Sequence, residues 1–241
     1  MGLDRFFRIA LALAALAGLA RGAVRPQLSR ERLVFQTAYG DIHMAFYHEI
    51  APKTARLVSD LGSVGAYTSN HIFRVDKGFV AQTAGVIGGR TVPLDAQQTR
   101  LASMTVPLEV DPEVKHDRRG ILSLARNDDP NSGGSSFSIL LGPAPHLDMQ
   151  YAIFGEVTKG LETLTKLEQL PTRREGIFVM PLERIEILAS YVYVIPEGQS
   201  EEAGFQTITT YARGMEDTYQ AAVAMVDRIK HTQLPGHQGI R

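Results

Sequence analysis

Between residues 33 and 194 the chain keeps breaking its apolar rhythm. Short runs with apolar side chains at every second position are cut by Gly, Pro, Asn and Asp before any reaches helical length. A period of two is that of a strand with one buried face. Residues 33–36 and 41–47 are two such runs. Thr37-Ala38-Tyr39-Gly40 joins them as a turn, and Ile42, Met44 and Phe46 alternate beyond it, which predicts a hairpin. Further strand-like runs lie at 73–75, 79–82, 121–125, 137–141, 151–157 and 182–194, the last alternating through Ile185 and Ile187. Two stretches are helical instead. Pro52 opens the first where a missing N–H costs nothing; Ala55, Val58 and Leu61 recur along it, Leu57 and Val64 widen the stripe, and Gly62 and Gly65 are expected to end it. The second covers 161–167. Seven or eight short strands and two helices within about 160 residues predict a mainly β fold, a closed eight-stranded antiparallel barrel capped by two helices.

The remaining segments add less. Residues 83–119 are punctuated by Gly85, Gly88, Gly89, Pro93, Pro107 and Pro112 and read as a long surface loop with a short helix near 96–103. Gly85-Val86-Ile87-Gly88-Gly89 lacks phosphate-cradle spacing. The turn-rich loop at 127–134 does not bind calcium: counted from Asp129, Gly133 takes the third ligand place and Leu140 the place of a bidentate Glu.

Charge and composition narrow the chemistry. The chain has 241 residues with 25 Lys+Arg against 26 Asp+Glu, a formal net charge of −1. That balance points to neither nucleic acid nor an anionic membrane surface as partner. With no Cys, disulfides, thiolate catalysis and Cys-based zinc sites are excluded. His43, His48, His71, His116 and His146 lack metal-ligand spacing, so no metal and no other cofactor is expected. At the start, Arg5 and Arg8 lead into an Ala/Leu/Gly/Ile run at 9–20, followed by Ala20-Arg21-Gly22. The run is too short to span a bilayer and fits a signal peptide over residues 1–22. An uncleaved anchor is the competing reading, and an organelle transit peptide fits less well, because the segment is poor in Ser and carries Asp4. The expected compartment is therefore the secretory pathway, the endoplasmic reticulum lumen or the exterior, with a signal-anchored protein as the alternative. The folded domain is expected over 31–195. After Pro196 the pattern becomes helical: Ser200 as N-cap, Glu201 and Glu202 in the first turn, Ile208, Tyr211, Met215, Tyr219, Val223, Val226 and Ile229 at spacings of three and four, and Arg228, Lys230 and His231 near the end. Residues 196–241 thus form an amphipathic extension that either packs on its own barrel or docks a protein partner.

One stretch carries chemistry. Phe73 to Gln82, FRVDKGFVAQ, sets Arg74 among bulky apolar residues, with Phe79 five positions on and Gln82 three further. Arginine is permanently charged and presents five donors in a planar fork. Fixed over an apolar pocket, it suits the polarisation of an amide whose side chain is apolar. The plainer reading is an edge-strand Arg whose stem covers core.

Six segments in order resemble the cyclophilin family of peptidyl-prolyl cis–trans isomerases: APKT from Ala51, FRVDKGFVAQ from Phe73, GILSLAR from Gly120, SSFSILLG from Ser135, HLD from His146 and YAIFGEV from Tyr151. The likeness runs from about residue 33 to 190 and, with both termini, is greatest to a plant-type secretory-pathway member. It implies a cyclophilin-like barrel that turns X–Pro bonds in proline-containing client chains and so assists their folding. Arg74 would be the catalytic guanidinium. Gln82 would bond substrate backbone and steady Arg74. Phe79, Val80 and Leu147 would line the proline pocket. Ala125 and Arg126 would form the groove for the preceding residues, and Tyr151 would stand where many members keep His.

Departures from the family pattern bear on substrate. Where the family carries S-Q-F-F, this chain has Ser135-Ser136-Phe137-Ser138. Ser138 takes the place of the pocket Phe and Ser136 that of the Gln, while Phe137 points to the opposite face of its strand. Val80 replaces the usual Met. The pocket is expected to be wider and wetter. His146 stands where a Trp accompanies tight cyclosporin binding, which implies weak binding of that drug or none. Two activities stay open at this point. One is a prolyl isomerase; the other is a cyclophilin-fold module that binds or scaffolds proline segments with little turnover.

Overall fold

The structure, a computed structural model, describes residues 25–207. The expected signal peptide and the helical stripe from Ile208 onward lie outside the described residues. Ten strands are present: β1 (Glu31–Thr37), β2 (Gly40–Phe46), β3 (His71–Asp76), β4 (Val80–Thr83), β5 (Ile121–Leu124), β6 (Phe137–Leu140), β7 (Ile153–Lys159), β8 (Thr172–Glu175), β9 (Phe178–Pro181) and β10 (Ile185–Val194). Eight of them close a barrel in the order β1-β10-β3-β4-β6-β5-β7-β2, with the paired strands antiparallel. This is the barrel that the short alternating runs predict. β8 and β9 form a separate two-stranded sheet.

Register explains which side chains face inward. Across β3, β4, β6 and β5 the partners Val75↔Ala81, Ala81↔Ile139 and Ile139↔Leu122 make one rung. All four side chains are buried, none more than 3% exposed. Directly opposed residues share a face, and neighbours in sequence take the other. The adjacent rung, Arg74↔Gln82, Gln82↔Ser138 and Ser138↔Ser123, therefore lies on the outer face. Phe137, one residue before Ser138, points inward. Its ring packs on Phe35 at 5.8 Å, Tyr67 at 5.9 Å and Phe154 at 5.5 Å.

Three helices accompany the barrel. α1 (Pro52–Ser63) opens with proline and buries Ala55, Leu57, Val58 and Leu61. Gly62 does not end α1. It stays within the helix where a Cβ would meet the side-chain ends of Leu33 at 2.5 Å and Val192 at 3.0 Å, so a larger residue here would displace them. The chain turns away at Gly65, whose φ of 63° favours glycine. α2 (Ala96–Ala102) is the short helix expected in the long loop. Asp95 and Gln98 close a capping box at its start, and Gln98 Nε2 donates to Val64 O at 2.8 Å. α3 (Leu161–Leu167) follows Gly160, whose φ is 98° and where a Cβ would meet Asp41 O at 2.2 Å.

The β8–β9 hairpin is absent from the sequence reading, which starts a strand at 182; β10 begins at Ile185. The reason is local. Every residue of β8, TRRE, is exposed, so no period-two apolar pattern marks it. The chain divides into two compact units at Val192/Tyr193. In the second, residues 201–207 are helical, Ser200 Oγ accepts from Ala203 N at 3.2 Å, and the rings of Tyr193 and Phe205 lie 6.0 Å apart.

α1 has no cap from its own N-cap residue, Ala51. Glu109, far along the chain, supplies one. Its carboxylate accepts from Lys53 N at 3.1 Å, Thr54 N at 2.8 Å and Thr54 Oγ1 at 2.9 Å. A carboxylate here meets free N–H donors and the positive end of the helix dipole. We expect Glu109→Ala to lower stability by about 1–2 kcal/mol, read as a shift in the urea midpoint, with Glu109→Gln intermediate.

Candidate active site

The outer rung becomes a site because the β3–β4 turn folds an aromatic back over it. Gly78 adopts a φ of 75°, and Phe79 N donates to Asp76 O at 2.9 Å. The turn is tied down from below: Glu168 accepts from Gly78 N at 2.9 Å and from Arg119 Nη1 at 2.6 Å. Phe79 then lies against Arg74, with the guanidinium carbon 5.2 Å from the ring centre. Phe178, at the start of β9, is a second ring beside the guanidinium, its centre 5.7 Å from the same carbon, and is itself edge-on to Phe73 at 5.5 Å. Arg74 is thus flanked by two aromatic rings, and its side chain is 17% exposed.

What steadies the guanidinium differs from the expectation. Arg74 Nη2 donates to Asp76 Oδ2 at 3.1 Å, and no hydrogen bond joins Arg74 to Gln82 among the described residues. Gln82 instead reaches Ser136 Oγ at 3.4 Å, a long contact, and Ser136 Oγ donates to Thr83 O at 2.7 Å. Both groups lie within reach on the same face, and charge separates them. Asp76 is two residues from Arg74 on the same face of β3, and it offers a full negative charge where Gln82 offers an amide. Arg74 Nε is buried and makes no hydrogen bond.

A cavity of about 280 Å³ opens beside this arginine. Of the residues expected to form the site, Arg74, Phe79, Val80, Gln82, Ser138 and Leu147 line it. Ala125, Arg126 and Tyr151 extend the lining from there, with Arg126 stacked over the Tyr151 ring at 5.1 Å. Arg126 is fixed further by Nε to Gln150 O at 2.8 Å and Nη1 to Asn127 O at 2.7 Å. Leu147 is presented by the 3-10 turn Pro145–Leu147. Two expected residues are not part of the lining. Ser136 sits beneath Gln82, and His146 is exposed on the outer side of Phe79, its ring 5.3 Å away.

Four lining residues were not anticipated: Ser123, Leu124, Ile177 and Phe178. The first two lie in the run 121–125, where alternation from Leu122 already places Ser123 on the outer face. The last two belong to the hairpin, whose trace in the sequence is the apolar run Ile177-Phe178-Val179-Met180 after Glu175-Gly176.

Behind Ser123 lies a buried polar relay. His116 Nε2 is 2.9 Å from Ser123 Oγ, and His116 Nδ1 is 2.9 Å from Asp148 Oδ1, which also accepts from His116 N at 2.8 Å. A carboxylate only accepts, so Nδ1 carries the proton and Nε2 accepts from the Ser123 hydroxyl. Burial pushes the His116 ring below its ordinary pKa, against the opposing pull of Asp148. Burial works to raise the Asp148 carboxyl, but the N–H groups of His116 outweigh it and the net shift is downward. At neutral pH the pair is a neutral imidazole against a carboxylate. Among the described residues no group of three His, Asp or Glu side chains could hold a metal ion, and no helix is long and apolar enough to cross a membrane.

The described residues thus form a closed antiparallel barrel with a largely buried guanidinium beside a cavity on its outer face, a place that can receive a peptide segment. Residues 32–192 match the family described as cyclophilin type peptidyl-prolyl cis-trans isomerase. The chain belongs to this family and is a peptidyl-prolyl cis–trans isomerase. It is 54% identical to the peptidyl-prolyl cis-trans isomerase CYP23 of Arabidopsis thaliana, over 80% of this chain and 85% of that protein. It is 36% identical to peptidyl-prolyl cis-trans isomerase-like 3 of Gallus gallus, over 68% of this chain and 97% of that one. Its fold matches the crystal structure of a Cryptosporidium parvum cyclophilin type isomerase obtained in the presence of the dipeptide Ala-Pro. There the TM-score is 0.57 with 29% identity, over 67% of this chain and 98% of the other.

The depressed His116 has a consequence for stability. The unfolded chain takes up a proton near 6.5, where the folded chain does not. The stabilisation is full above that value and is lost as pH falls from it through the folded pKa. His71, also lowered by burial, acts with the same sign. We expect urea titrations to show falling stability below pH 6.5, and a shallower fall in His116→Asn. An unchanged slope would assign the acid lability elsewhere.

Proposed function

We propose that Arg74 is the catalytic guanidinium, and that Phe79, Val80 and Leu147 hold the proline ring beside it. The single observation that carries this reading is the contact of Arg74 with the Phe79 and Phe178 rings, all three lining the cavity. A prolyl amide resists rotation because its C–N bond has double-bond character, and uncatalysed exchange takes tens to hundreds of seconds. In the twisted transition state the nitrogen regains a lone pair. A guanidinium N–H can donate to that lone pair only then, so the contact favours the transition state over the ground state. Acceleration to about a second needs roughly a hundredfold, ~2.7 kcal/mol. One charge-assisted hydrogen bond contributes about 1.5–3 kcal/mol. Asp76 occupies Nη2, and Nη1 has no hydrogen-bond partner among the described residues, so donors remain for the substrate. Gln82 and the Ala125–Arg126 edge bind the substrate backbone, and Tyr151 closes the groove against Arg126. Ser136 and His146 act from outside the lining, Ser136 by holding Gln82 and His146 by covering Phe79. With His146 exposed, cyclosporin binds weakly or not at all.

The test is peptide exchange followed by NMR. We expect Arg74→Ala to lower kcat/KM about tenfold to a hundredfold, and Phe178→Ala to lower it about two- to fivefold through loss of one of the two ring contacts. Equal rates for wild type and Arg74→Ala would remove Arg74 from the mechanism and favour a module that only binds.

The setting follows from the ends of the chain. We infer that residues 1–22 direct the protein into the secretory pathway, as in a plant-type secretory cyclophilin, where it speeds folding of proline-containing clients, and that 196–241 form an extension able to dock a protein partner. The apolar run at 9–20 supports the first, and the high identity to an Arabidopsis protein supports the plant-type assignment. Imaging of a C-terminally tagged chain should place the tag in the endoplasmic reticulum or outside the cell. A cytosolic tag would overturn the address, and a full-length chain resisting carbonate extraction would show an uncleaved anchor.

A further inference from the structure

The outer rung does not stop at Gln82. Ser138 and then Ser123 continue it across β6 and β5, and both line the cavity. Two serines therefore stand side by side in a lining that also holds Phe79, Val80 and Leu147. Their states differ. The Ser123 hydroxyl hydrogen is committed to His116 Nε2, because Asp148 fixes the ring tautomer, which leaves the lone pairs of Ser123 Oγ as acceptors. Ser138 makes no side-chain hydrogen bond among the described residues, and its O–H is free to turn and donate. Cross-strand partners in a rung have Cβ atoms about 5 Å apart. One alcohol oxygen fits between an acceptor and a donor so placed.

Plain proline offers nothing to this pair. Its ring would cover the Ser138 hydroxyl, take it from water and leave it unpaired, which a site built around polar groups penalises strongly. We propose that the cavity prefers a proline ring bearing a hydroxyl on its γ-carbon, 4-hydroxyproline, over proline itself. The ring hydroxyl donates to Ser123 Oγ and accepts from the Ser138 O–H, while the apolar edges of the ring meet Phe79, Val80 and Leu147. This inference rests on the assignment of the cavity as the prolyl site.

The experiment uses two peptides identical except for the ring hydroxyl, with the 4R and 4S epimers assayed separately. Catalysed exchange is measured by NMR and expressed against each peptide's own uncatalysed rate. For the better epimer, wild type should show a kcat/KM about three- to tenfold above that for proline. Ser138→Ala should bring the ratio to about one, Ser138→Thr should keep it above one, and Ser138→Phe should turn the preference toward proline, with faster prolyl turnover than wild type. Circular dichroism melts check that the variants fold. A wild-type ratio at or below one overturns the proposal without reference to any variant, and so does a ratio that survives Ser138→Ala. Arg74→Ala in the same assay separates the two readings: if it slows both peptides while the ratio stays at one, the site is right and the hydroxyl preference wrong; if it slows neither, the cavity is not the prolyl site and both fall.

Discussion

Everything at the site depends on the two-residue repeat of a strand being held in register across four strands. Val75, Ala81, Ile139 and Leu122 form the inner rung, and their burial fixes the pairing of β3, β4, β6 and β5. A slip of one residue would turn these four to solvent and bring Arg74 into the core. The penalty for burying an unpaired guanidinium and exposing four apolar side chains is what makes the register unique. The outer rung inherits that precision without contributing to it. Hydrophobic packing on one face therefore positions the polar chemistry on the other.

The position of Arg74 along its own length is set differently. Its stem comes from the barrel, but its head is fixed by Asp76 from the same strand and by rings from two separate segments. The two rings are anchored differently. Phe79 hangs on a turn that Glu168 ties to the end of α3, and Phe178 braces on Phe73 of β3. A cation attracted to π faces spends none of its hydrogen bonds on them, and the N–H donors stay at its edges. The rings thus hold the group without consuming the donors it must present.

The barrel was legible in the sequence because its strands carry apolar side chains at alternate positions on the inner face, although β2 and β5 are covered on the other face as well. Ile42, Met44 and Phe46 alternate in β2, and Ile185 and Ile187 in β10, without ambiguity. Glycine was harder to interpret. Gly62 looks like a helix terminator, yet it is a contact residue, and only Leu33 on the neighbouring strand reveals this. At the site, Arg74, Phe79 and Gln82 could be found from one stretch, since their strand pair is local. The choice of Asp76 over Gln82 as the partner of Arg74 depends on side-chain rotamers, which strand alternation does not specify. Ser123 was within reach of alternation arguments. Phe178 was not, because β8 has no buried face and β9 is only half-buried.

That hairpin differs in kind from the rest of the cavity. It pairs only with itself in the sheet, and it meets the arginine through a single ring. Changes in its length or tip would leave the barrel's pairing intact while reshaping the rim that an arriving chain first encounters. One scaffold with a fixed guanidinium could in this way be retuned to new clients by editing ten residues of hairpin, much as a lathe keeps its spindle and changes its chuck.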